Sequence, residues 1–229
     1  MLTHEEYTLL CSDELREAIH RNRTRDHLAV AMDRTIPHAR LVATQLKYLD
    51  RARTKLPAYA EAECILPPRA FEQASNERCA AHKPLCGERV LDLTCGLGVD
   101  ARALASHFRE VVTLERNEVL AEITRENLRR LGVENVTVLT TDAETYLAYC
   151  TDTFDWVYAD PDRRSTEGKK LVRLEDCSPD VVALMPRIRA VAKRLCLKNS
   201  PCSMCRRRAD SSPRPPSRLF RSAGSARRC

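Results

Sequence analysis

The stretch Arg89–Asp100, RVLDLTCGLGVD, constrains this chain more than any other. Val90, Leu91 and Leu93 form a short apolar strand, and Gly96 and Gly98 then let the backbone turn sharply into a helix. A strand, a glycine turn and a helix in that order leave the helix's first N–H groups aimed at the turn, where a polar or anionic group can dock. A chain holding this unit is expected to build a parallel sheet around it and to place its ligand at the turn.

The rest of the pattern agrees. Strands are expected at Val90–Thr94, Val111–Glu115, Val136–Thr140, Phe154–Ala159 and Arg194–Lys198. Helices are expected at Val99–Phe108, Glu118–Leu131, Ala143–Tyr149 and Pro179–Ala192, the last kinked by Pro186. Strict alternation implies an α/β fold, a parallel sheet with helices on both faces. Before it, residues 1–84 read as a helical region: Glu5–Ile19, Asp26–Met32, and a helix starting at Ile36-Pro37 and running toward Leu49. In that helix Ala39, Val42, Leu46 and Leu49 make one apolar stripe that needs a partner. Pro67-Pro68 marks an extended break before a helix at Ser75–His82, and Pro84 and Gly87 separate this region from the first strand.

Charge must be located before it is interpreted. The net charge of +6 resides in the tail, since eight Arg and one Asp from Arg206 onward carry +7 and leave −1 for the remainder. Residues 202–229, rich in Arg, Ser, Pro and Cys, cannot bury enough apolar surface to fold. They read either as a disordered basic tail able to touch RNA or, the favoured reading, as the product of a frame slip near Pro201. The expected organisation is therefore 1–84, 85–201 and 202–229. The 11 cysteines are scattered and fit a reduced interior, and Cys202 and Cys205 lack the second pair of a zinc site, so no metal is expected. Neither a secretory signal nor a membrane span is visible, which makes the cytoplasm the expected location. The oligomeric state is not legible.

Three acids stand where a doubly wound sheet holds its ligands. Glu115 ends the second strand and is placed to accept from two ribose hydroxyls. Asp142 follows the third strand, where it either meets an adenine amino group or caps the next helix. Asp92 lies inside the first strand, where it orients the loop or faces a ligand ammonium. Together with the glycine turn they point to a nucleoside-containing ligand.

LDLTCGLGVDA, TLERN, TTDAE and YADPD resemble the successive motifs of class I S-adenosylmethionine-dependent methyltransferases, over roughly residues 65–201. FEQASNERCAAHK, DPDRR and LEDCSPDV make the chain most similar to bacterial RNA-methyltransferase-like proteins with a THUMP-like C-terminal region. The resemblance implies a Rossmann-like core binding S-adenosylmethionine, with Asp92, Gly96 and Gly98 at its methionine part, Glu115 on the ribose and Asp142 on the adenine. Thr94 and Ala143 join this set, and Gln73 and Ser75 match a loop that closes over the cofactor. RNA is the implied substrate. Gly96-x-Gly98-x-x-Ala101 also fits an NAD fingerprint, but the Asp-Leu-Thr-Cys approach and the Asp-Pro after the fourth strand favour a methyltransferase.

Asp160, Pro161, Asp162 and Arg163 are the expected transfer site. Amino-methylating relatives carry (Asp/Asn)-Pro-Pro-aromatic there, the acid holding the target amino group and the ring stacking on the base. Here Asp162 and Arg163 replace the last two positions, so a guanidinium plane must stack in place of the ring, or Arg163 and Arg164 bind phosphate. Base N-methylation is the resulting expectation. Cys95 and Cys177 lack basic neighbours at motif spacing and read as structural thiols, not C5-methyltransferase nucleophiles. His82 and His107 read as packing or surface histidines. Class I sheets add a sixth and a seventh strand for which the sequence offers no residues. Truncation after the fifth strand, an uncovered edge, weakened cofactor binding and no turnover are accordingly expected, with a non-catalytic cofactor- or partner-binding remnant as the alternative function.

Overall fold

The computed structural model describes residues 2–163 and 177–198. Seven helices precede the sheet: α1 His4–Cys11, α2 Asp13–Arg21, α3 His27–Met32, α4 Ala39–Lys55, α5 Pro57–Glu61, α6 Pro68–Gln73 and α7 Glu77–Ala81. The single helix expected at Glu5–Ile19 is two. Ser12 is extended (φ −68°, ψ 147°), and its hydroxyl accepts from Leu15 N, so it ends one helix and caps the next. Pro67-Pro68 is more than a break. Pro67 is extended, and Pro68, which has no N–H to lose, opens α6. The helix expected from Ile36 begins at Ala39, after a left-handed His38, and continues past Leu49. Asn76 caps α7, which leaves Ser75 in the preceding loop.

The sheet follows as β1 Gly87–Asp92, α8 Val99–Ala105, β2 Phe108–Glu115, α9 Glu118–Arg130, β3 Val136–Thr140, α10 Ala143–Tyr149 and β4 Phe154–Ala159. After them come the short β5 Asp162–Arg163 and β6 Cys177–Ser178, then α11 Val181–Val191 and β7 Ala192–Leu197. Five parallel strands lie in the order β3-β2-β1-β4-β7. This confirms the α/β architecture. β1 is central because successive residues feed opposite faces: Val90 packs with Leu104 and Val111, while Leu91 packs with Val157 and Ile188. The order reverses between β1 and β4, which opens a crevice above their carboxyl ends.

Three further details belong to this region. Pro186 lies inside α11 without ending it. The antiparallel β5–β6 pair has no counterpart in the sequence pattern, because two-residue strands carry no periodicity. β7 is an edge among the described residues, yet it is not bare, since Leu195 and Leu197 pack with Ile188 and Val191 beneath α11.

The helical region does not stand apart from the sheet. Leu46, Tyr59 and Phe71 share one buried cluster with Leu97, Val99 and Ile123, so packing crosses the division expected at residue 84. Asn127 of α9 fastens the two parts, accepting from Ile65 N (2.8 Å) and donating to Ile65 O (2.9 Å). The Tyr59 hydroxyl donates to Leu97 O at 3.2 Å, directly beneath the glycine turn. Residues 202–229 and Arg164 lie outside the described residues. Among the described residues no helix is long and apolar enough to cross a membrane.

Candidate active site

The glycine turn is held from below. Asp92 is fully buried; its Oδ1 accepts from Thr94 N (2.9 Å) and Thr94 Oγ1 (3.2 Å), and its Oδ2 from Thr113 Oγ1 (2.8 Å). Burial pushes its carboxyl up to about 6 despite these bonds. Asp92 therefore orients the loop, and its carboxylate is not among the groups that line the cavity above. The two glycines divide the work. Gly98 (φ +77°) needs its missing side chain because a Cβ would lie 2.7 Å from Thr124 Cγ2 of α9. Gly96 (φ +53°) faces open space, with no atom within 4 Å of a Cβ position.

That space is a cavity at the carboxyl ends of the strands, and it gathers Gln73, Ser75, Thr94, Gly96, Glu115, Asp142, Ala143, Asp160 and Asp162. Leu114, Leu120 and Ile123 add apolar wall. Gly98 and Pro161 sit just outside it. Arg163 pairs through its backbone with Cys177; its side chain lies outside the described residues. At the β2–β3 end, Glu115 accepts from Gly96 N (3.0 Å, Oε2) and Asn117 N (2.9 Å, Oε1). Each oxygen keeps a lone pair for the cavity, and burial raises the carboxyl above its ordinary value. Asp142 caps α10 by accepting from Thr145 N through Oδ1 (2.6 Å), which holds it below the usual carboxylate range. It lines the cavity as well, so the cap and the ligand-facing position coexist.

The β1–β4 end is built from charges that sequence spacing does not reveal. Asp160 N donates to Thr94 Oγ1 at 2.8 Å, tying β4 to the glycine turn. Lys198, just past β7, donates to Asp160 Oδ2 (2.6 Å), to Asp100 Oδ2 (3.2 Å) and to the Ser75 hydroxyl. Asp100 opens α8 and also pairs with Lys83, whose ammonium lies 5.1 Å from the Tyr158 ring centroid. Two acids and two lysines thus balance in a half-buried cluster. Burial would raise Asp100, but Lys83 and Lys198 outweigh it and hold the carboxyl low. Burial raises Asp160, and Lys198 only partly offsets that. Burial would lower Lys198, and its bond to Asp160 and the charge of Asp100 raise it instead. Among the described residues Asp160 Oδ1 has no partner. The one sequence signal for Lys198 is its place at the carboxyl end of a strand, where a cation serves a ligand site as well as an acid does.

Cys95 lines the cavity, but burial pushes its thiol well above the ordinary range, and Cys177 is buried at β6. Neither is placed as an accessible thiolate. Among the described residues no group of His, Cys, Asp and Glu is arranged to hold a metal ion.

Comparison with known proteins agrees with this geometry. Residues 90–167 match the family described as "Methyltransferase domain". Over 130 residues the chain is 35% identical to "Ribosomal RNA small subunit methyltransferase J" of Coxiella burnetii (strain Dugway 5J108-111), covering 48% of this chain and 51% of that protein. Over 109 residues it is 37% identical to "23S rRNA (uracil(1939)-C(5))-methyltransferase RlmD" of Alkalilimnicola ehrlichii, covering 42% of this chain and 24% of that one. A crystal structure of a candidate methyltransferase from Porphyromonas gingivalis W83 superposes with a TM-score of 0.73 and 28% identity, covering 88% of this chain and 51% of that one. Coverage that wide takes in much of the helical region as well as the sheet. The chain spans about half the length of the first curated relatives it matches.

Proposed function

We propose that this chain, a class I methyltransferase by its fold and its relatives, binds S-adenosylmethionine in the cavity and methylates an amino nitrogen of an RNA base. The observation that carries the reading is the open face of Gly96 in register with Glu115, Asp142 and Asp160. A side chain at Gly96 would stand in the cavity, and the surrounding donor set suits a nucleoside joined to an amino acid. Glu115 takes the ribose hydroxyls on its spare lone pairs, and Asp142 with Ala143 takes the adenine against Leu120. Thr94, Gln73 and Ser75 surround the methionine end. The bound cofactor supplies a methyl group activated on a sulfonium.

The chain's own residues then position the acceptor. Lys198 fixes one oxygen of Asp160 and opposes the rise that burial imposes on its carboxyl. The other oxygen accepts an N–H of the target amino group and leaves the nitrogen lone pair facing the methyl. Asp162 lines the cavity beside Asp160, where the base enters. The names of the two curated relatives support RNA as the substrate class. The burial of both Cys95 and Cys177, with the Cys95 thiol held protonated, favours nitrogen over the C5 of uracil.

Tritiated methyl transfer to total RNA, followed by mass spectrometry of the nucleosides, tests this. Label is expected in an N-methylated nucleoside, and Asp160→Ala is expected to lower it at least about 10²-fold. Normal cofactor binding with no label would overturn the reaction and leave the non-catalytic reading.

A further inference from the structure

A groove on the helical region has the chemistry of a path for an extended polyanion. Ten arginines precede Pro84. Six are in ion pairs: Arg16 with Asp13, Arg21 with Glu17, Arg23 with Glu63, Arg25 with Asp33, Arg51 with Glu72 and Arg53 with Asp50. The side chains of the other four have no partner among the described residues, and three of those four, Arg34, Arg40 and Arg69, are exposed along this one groove. The acids in the same groove do not neutralise them. Glu6 is turned back onto Thr3 N (2.9 Å), and Asp33 is held by Arg25 (2.9 Å) and by Thr35. The groove also exposes apolar surface at its edge, where Met32 is 83% accessible. It joins the cofactor cavity, for Leu2 and Arg69 line both.

We infer that Arg34, Arg40 and Arg69 bind successive phosphates of single-stranded RNA that flank the nucleotide delivered to the cavity. The inference rests on RNA being the substrate and adds where the strand runs. Unpaired guanidiniums accept phosphate without first breaking an ion pair, and an apolar border tolerates unstacked bases. A single-stranded occupant is favoured because the groove is a path beside a cavity and not a flat face.

The test is the salt dependence of binding of a fluorescein-labelled oligouridylate to the full chain, read by anisotropy. Each phosphate contact to a single strand contributes about 0.7 to the log–log slope. The triple variant Arg34→Gln/Arg40→Gln/Arg69→Gln should lose about 2 from the slope and bind more weakly at every salt concentration. Arg21→Gln/Arg51→Gln/Arg53→Gln removes the same charge from paired positions and should leave the slope unchanged, as the basic tail contributes equally to all three proteins. Equal losses in both triple variants would mean bulk charge alone and overturn the groove. A groove variant that keeps the wild-type slope would overturn it while RNA binding itself survives. Failure of the wild type to bind oligouridylate, or its binding of polyglutamate instead, would remove the RNA substrate as well.

Discussion

The two ends of the cavity are built differently. At the β2–β3 end, Glu115 and Asp142 are held by backbone N–H groups a few residues away or on the adjacent glycine turn. At the β1–β4 end, Asp160 is held by Thr94 and Lys198, and Lys198 in turn by Asp100 and Ser75, all from separate parts of the chain. The first end is rigid by local geometry. The second is an electrostatic assembly that exists only when the sheet, α8 and the Ser75 loop are all docked. A cofactor cradle can be made locally, whereas presenting an acceptor beside it draws on the whole fold.

That contrast can be broken by charge. Asp92 supports the turn shared by both ends, and its carboxyl lies at about 6 in the folded protein against 3.8 ordinarily. Folding therefore raises its proton affinity. The stability tied to the protonated form is complete below about pH 4 and is lost as pH rises through about 6. Asp92→Asn removes this dependence, so its stability relative to the wild type should climb across that window by up to about 3 kcal/mol in urea unfolding at successive pH values. A difference independent of pH would mean that Asp92 is not a strained acid.

A smaller effect belongs to the electrostatic end. Lys198→Met should lower methyl transfer about tenfold and move the acid limb of the pH–rate profile upward, because Asp160 would lose the partner that opposes its burial. Lys198→Arg should restore part of the rate and the position of the limb. Equal loss in both variants with an unmoved limb would reduce Lys198 to a packing role.

Much of the first end is legible in the sequence, since Gly96, Glu115 and Asp142 follow strands at regular spacing. The two roles that spacing leaves open for Asp142, helix cap and cavity wall, turn out not to compete, because one carboxylate serves both places. Asp92 is legible only in part: alternation puts it on the strand but does not say that both oxygens are taken by Thr94 and Thr113. Lys83 leaves no local signal and Lys198 only its place at the end of a strand, because their partners lie far away in sequence. The same is true of Asn127, whose bonds to Ile65 join the helical region to the sheet. The break at Ser12 is hidden by an apolar period that runs on through it.

Calorimetric titration with S-adenosylhomocysteine, comparing the wild type with Glu115→Gln, tests the assignment of the cavity most directly. One molecule is expected to bind per wild-type chain, and binding is expected to be at least about tenfold weaker in the variant, because a charge-assisted pair of hydrogen bonds is lost. No binding by the wild type, or equal affinity in the two proteins, would contradict that assignment.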